Sequence, residues 1–139
     1  MSTESTDAKA ILNFESLRSF VRDHHQESMA RAMIKVGPID LYVRLTTRVL
    51  DTQWKKTIDL ADITIPTELR NQKLFSRVLR EFETLAVRHN RCVFVESIIN
   101  PIIRNALERR GYSFRDGELG SAWKSSEDLQ RDDHSIGLS

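Results

Sequence analysis

The chain has 139 residues, 40% of them apolar and 29% charged, with a net charge of +1. That length suits one domain with a buried core, and the near-neutral balance gives no global field to draw nucleic acid or a membrane surface. Its single cysteine, Cys92, excludes an intramolecular disulfide and fits a reducing compartment, the cytoplasm.

The opening MSTESTDAKA is polar, lacks the apolar core of a signal peptide, and reads as loose; no stretch approaches a membrane span. From Asn13 the pattern turns helical. Phe14, Leu17, Phe20, Val21, Met29, Ala32 and Met33 recur at spacings of three, four or eight, with Asn13 as cap, which predicts N-terminal helices over 13–36. The polar run Asp23 to Glu27 can divide them, and Gly37-Pro38 ends them. Leu41, Val43 and Leu45 then alternate with Tyr42 and Arg44, the period of a strand with one buried face. After a turn at Asp51-Thr52-Gln53, the run from Trp54 to Ile65 largely alternates again and is stopped by Pro66, so the two runs read as adjacent antiparallel strands.

Leu74, Phe75, Val78, Leu79, Phe82, Leu85 and Ala86 form the apolar stripe of an amphipathic helix. Cys92-Val93-Phe94-Val95 reads as an interior strand covered on both faces. Asn100-Pro101 opens a further helix, with Asn as N-cap and Pro at the first helical position; Arg109-Arg110-Gly111 closes it. Tyr112-Ser113-Phe114 and Ser121-Ala122-Trp123 make a short hairpin around Asp116-Gly117. The expected organisation is one domain over 1–124, its sheet and helix core at 39–124, followed by a polar, disordered tail at 125–139. The fold class is α/β, in the stricter sense α+β: a mixed sheet flanked by helices, without a symmetrical βαβ series.

From residue 39 to 124 the pattern resembles the GNAT superfamily of acyl-CoA-dependent acetyltransferases. The stretch IDLADITIPTELRNQKLFSRVLREFETLA has that family's strand, an arginine at Arg70, and the amphipathic helix that follows its Arg-x-x-Gly-x-Gly/Ala loop. CVFVESIINPIIRNALERRGYSF supplies the next strand, an Asn-started helix at Asn100 and the closing Gly111-Tyr112. Three positions depart from the family pattern: Lys73 and Phe75 stand at the loop glycines, and Leu107 stands where many members carry a tyrosine acid.

The resemblance implies a mostly antiparallel central sheet and acetyl-CoA as cosubstrate. Backbone amides around Arg70, Asn71, Gln72, Lys73 and Leu74 would hold its pyrophosphate, and the strand carrying Ile63 and Ile65 would align the thioester. Asn100 joins this cofactor set, although its own chemistry reads as a helix cap. Helix-start amides and the positive dipole end attract phosphate whether or not the loop has glycine. Glu96 is the candidate proton acceptor for an amine substrate, against the alternative of a surface carboxylate paired with Arg104 or another cation. Ser97 reads as a proton relay or a strand-end hydrogen bonder. Asp62 has the same two readings as Glu96. The adjacent His24 and His25 point about 100° apart on a helix and cannot chelate one metal together.

Two functions follow. One is an N-acetyltransferase whose amine acceptor, a small molecule or a protein, attacks the thioester directly. The other is a catalytically inactive scaffold of the same fold that binds a protein partner. No strong nucleic-acid signal and no membrane signal accompany either, and both monomer and dimer stay open.

Overall fold

The computed structural model describes residues 12–96, 98, 100–115 and 120–138; for 70–72 and 133–138 it describes the backbone alone. Helix α1 is Glu15–His24, followed by strands β1 (Ala30–Val36), β2 (Ile39–Leu50) and β3 (Gln53–Thr64). A 3-10 helix at Thr67–Gln72 leads into α2 (Leu74–His89), then β4 (Cys92–Glu96) and α3 (Pro101–Arg109). Strands β5 (Ser113–Arg115) and β6 (Ser121–Lys124) and helix α4 (Ser126–Leu138) complete the order. The six strands form one sheet, β1-β2-β3-β4-β6-β5, antiparallel throughout except where β3 and β4 run parallel. The α2 crossover joins that parallel pair, as a parallel connection requires.

Alternation decides the layers. Val43, Leu45, Ile58, Leu60, Val93, Val95 and Ala122 are all buried and share one apolar cluster with Leu17 and Val21 of α1, Val78, Leu79 and Phe82 of α2, and Ala106 and Leu107 of α3. Arg18 of α1 holds α2 through Glu81 at 2.8 Å. The opposite face carries Arg44, Asp59 and Phe94.

Two sequence expectations are corrected here. The predicted helices over 13–36 stop at His24, and Ala30–Val36 is a strand paired residue by residue with β2. Its inward set is Ala30, Ala32, Ile34 and Val36, a period of two, whereas Met29 and Met33 are 53% and 71% exposed. Their spacing of four arises inside an alternating run, and Gly37, with φ +58, makes the tight turn that lays this run against β2. The tail predicted to be disordered is helical over Ser126–Leu138. Ser125 starts it, its hydroxyl accepting from the Asp128 N–H at 3.0 Å, and Leu129 is buried in the core. A buried Leu129, a serine cap and the Lys124–Asp132 pair are among the contacts that order a segment whose mean composition is polar. The predicted turn at Asp116-Gly117 and the loose 1–10 lie outside the described residues.

At the end of α2, His89 stacks on His25 with ring centroids 4.5 Å apart. Burial, then His25, Arg88 and Arg91, hold the His89 pKa below its ordinary value. The unfolded chain therefore binds the extra proton first as pH falls, and stability is lost below about pH 6.5. Thermal unfolding across that range is expected to show a falling Tm, and His89→Gln is expected to flatten the dependence; an unchanged slope in the variant would refute the assignment.

Candidate functional site

The site begins where β3 and β4 separate. Their parallel pairing runs from Thr57↔Cys92 to Leu60↔Val95 and stops. Strand β3 continues to Thr64 alongside β2, while β4 ends at Glu96 and turns its other edge to Ser121 of β6. A β-bulge marks the same level: Tyr42 pairs with Asp62 and Val43 with Leu60, which leaves Ala61 without a partner. The sequence requires it, because the apolar parity of this run changes from Ile58 and Leu60 to Ile63 and Ile65. The extra residue returns both isoleucines to the core face, where they pack half-buried against the apolar cluster, and increases the local twist that parts the strands.

Beyond β3, the 3-10 helix brings the chain to Lys73, which is left-handed (φ 56, ψ 30) and immediately precedes α2. The left-handed turn of this loop, which contains no glycine, falls on a lysine. That conformation costs a residue with a Cβ about 1–2 kcal/mol. It is the conformation glycine adopts freely, and here the turn forms without one. Lys73, at the cap position of α2, makes no side-chain cap hydrogen bond, and the helix's first turn contains no acid. The positive end of a 16-residue helix is therefore left for an anion. The side chains of Leu74 and Phe75 are buried in the core, so they do not stand over this end. Arg70, Asn71 and Gln72 lie in the 3-10 turn that approaches it.

Glu96 follows the last β3–β4 pair and lies half-buried at the mouth of the divergence. It pairs with Arg44 and lies 3.4 Å from Arg48. Arg48 in turn grips Asp59 at 2.7 Å, and Arg44 approaches the same carboxylate at 3.6 Å. Asp59 is fully buried and also accepts from the Thr57 hydroxyl at 2.6 Å. The Arg48 guanidinium lies 4.1 Å above the centre of the Phe94 ring. Two arginines and two carboxylates thus form one connected group across β2, β3 and β4.

Of the sequence candidates, Ile63, Ile65, Lys73 and Leu74 and the backbone of Arg70 to Gln72 gather along the path from β3 into α2. Glu96 stands at the far lip. Asn100 caps α3, its Oδ1 accepting from the Ile102 N–H at 2.8 Å. Ser97 lies outside the described residues. Arg104, offered as a partner for Glu96, instead pairs with Glu108 at 3.4 Å and covers the Phe114 ring. Leu107 is fully buried, and Cys92 is buried with its thiol pushed up by that burial. Asp62 is exposed, opposite Tyr42. His24 pairs with Glu27. No helix among the described residues is long and apolar enough to cross a membrane.

A scan against protein-family models and a search of curated proteins find no match. Solved structures do match. AtaT complexed with acetyl-methionyl-tRNAfMet superposes with a TM-score of 0.54 at 12% identity, over 89% of this chain and 90% of that one. The AtaT Y144F toxin bound to the C-terminus of the antitoxin AtaR and acetyl-CoA gives 0.52 at 13%, over 84% and 83%. The fold is that of the GNAT acetyltransferases. On that fold the parting strands and the start of α2 are the elements the sequence resemblance pointed to. The Arg44–Glu96–Arg48–Asp59 group was not foreseen, because its members are spread over three strands. The one signal available was charge on the polar phase of two alternating strands, at Arg44, Arg48 and Asp59.

Proposed function

We propose that this protein binds acetyl-CoA and transfers its acetyl group to an amine. The observation that carries this reading is the end of β3–β4 pairing after Leu60 and Val95, beside an α2 start whose N-cap residue, Lys73, makes no side-chain cap bond. The cofactor's pyrophosphate would rest on the amides after Lys73, with Arg70 adding a guanidinium. The pantetheine arm would enter between the strands, its amides meeting the edge groups of β3 that β4 leaves unpaired. The AtaT complex with acetyl-CoA supports the choice of ligand by analogy of fold.

The chemistry asks little of the protein beyond placement. The amine nitrogen attacks the thioester carbonyl carbon, the C–S bond breaks, and the thiolate takes a proton from water. The proton on the new ammonium passes to Glu96 or to water. The acceptor is a small amine or an amine on a macromolecule, such as the aminoacyl group that the AtaT complex with acetyl-methionyl-tRNAfMet brings to mind. A second reading has its own observation: Glu96 is already engaged by Arg44, and a buried Leu107 stands where the sequence resemblance would put a tyrosine, which suits a scaffold that binds a protein without catalysis.

Calorimetric titration with acetyl-CoA and with free coenzyme A tests both. The first reading expects a Kd of about micromolar order, weakened about tenfold or more in Arg70→Ala, with acetyl transfer to one of a panel of amines. Binding without transfer to any acceptor favours the scaffold, and no binding by folded protein overturns the acetyl-CoA assignment.

A further inference from the structure

A cleft of about 820 Å³ opens on the other half of α2, lined among others by Arg80, Glu83, Arg109, Arg110, Lys124 and Asp132. Glu83 lies roughly 13 Å along the helix from its first residue, at 1.5 Å per residue, so this is not the proposed cofactor site. We propose that it is a second ligand site, taking a small molecule with at least two phosphate or carboxylate groups.

The floor of the cleft is built and held. Glu83 accepts from Arg110 Nε at 3.0 Å and from the buried Tyr112 hydroxyl at 2.9 Å, which fixes the Arg110 guanidinium. Lys124, only 9% exposed at its side chain, donates to the Arg110 carbonyl and pairs with Asp132 of α4. Gly111 leaves the space above that ammonium open: a Cβ there would stand 3.6 Å from Lys124 Nζ. Four cationic side chains line the cleft against two carboxylates, and both carboxylates are already spoken for by Arg110 and Lys124. Arg80 and Arg109 are exposed and make no ion pair among the described residues.

Two guanidiniums with no counter-charge among the described residues, above a floor whose two cations are each held by one carboxylate, suit bidentate recognition of phosphate or carboxylate. The volume falls in the range of small-molecule pockets. Asp132 stands where one anionic group of the ligand would bind. Its side chain is 55% exposed on a helix that forms one wall, so a stronger anion can take Lys124 from it.

The test is a proton–nitrogen NMR titration of the full chain with sodium pyrophosphate and, separately, with citrate. Saturable shifts are expected at Gly111, Lys124 and Leu129, with those of Leu74 to Arg77 smaller. The double variant Arg80→Ser/Arg109→Ser, with unchanged circular dichroism, is expected to bind about tenfold or more weakly. Saturation by pyrophosphate alone identifies a phosphate compound, and by citrate alone a polycarboxylate. Shifts that never saturate, saturation confined to the first turn of α2, or a double variant that binds like the parent would each overturn the proposal. Loss of acetyl-CoA binding in Arg70→Ala leaves this result untouched.

Discussion

Asp59→Ala is expected to destabilise the protein by about 3–5 kcal/mol, the cost of breaking a buried ion pair from one side. Asp59 is fully buried between two guanidiniums and a hydroxyl, and its removal leaves Arg44 and Arg48, each 23% exposed at the side chain, with Glu96 alone. The intact pair is a different quantity. Against an apolar core of the same volume it could be neutral, since desolvation of both charges offsets their attraction. The large effect therefore belongs to the single substitution. Urea unfolding measures it as a shift in midpoint at constant slope. A loss below about 1 kcal/mol would mean that water reaches the two arginines freely, as at an exposed pair. Asp59→Asn, which keeps the shape, is expected to fall between.

The second large effect is expected at Arg91→Met, about 2–4 kcal/mol from charge-assisted bonds worth about 1.5–3 kcal/mol each, partly offset because a buried charge is removed. Arg91 is 2% exposed just before β4. Its Nη1 donates to the Thr57 carbonyl at 2.7 Å and more weakly to that of Thr46, and its Nη2 donates to the His25 carbonyl at 2.6 Å. One side chain thereby joins β2, β3 and the end of α1. Methionine keeps most of the packing, so a comparable loss in the methionine and alanine variants would assign the energy to hydrogen bonding. A loss confined to alanine would assign it to volume.

How much of this could be read from the chain differs by element. Helix α2 was legible because seven apolar residues follow its period, and α3 because Asn100-Pro101 is a complete start signal. The bulge was not predicted, although the parity change between Leu60 and Ile63 marks it once the strands are paired. Strand β1 was not, because Met29 and Met33 placed apolar residues at helical spacing on what is an exposed strand face. Helix α4 was hidden by its polar composition, since much of its described docking is polar, with Leu129 buried beside the Lys124–Asp132 pair. At the candidate site, the loop from Ile63 to Leu74 came from sequence, but its decisive detail, a left-handed lysine, has no residue-type signal. The Asp59 group was only partly legible: the predicted hairpin around Asp51-Thr52 sets Arg44 opposite Asp59, but no local pattern brings Glu96 of β4 to them.

The strand order has a consequence for how this chain is made. Strand β4 is apolar on both faces and takes β3 on one edge, but its other edge belongs to β6, which leaves the ribosome after both α3 and β5. Until then a short, sticky edge stands uncovered on a nearly complete sheet, the state most open to pairing with a neighbouring nascent copy. Variants that weaken the docking of residues 121–124 should therefore lower soluble yield more than they lower the stability of protein already folded.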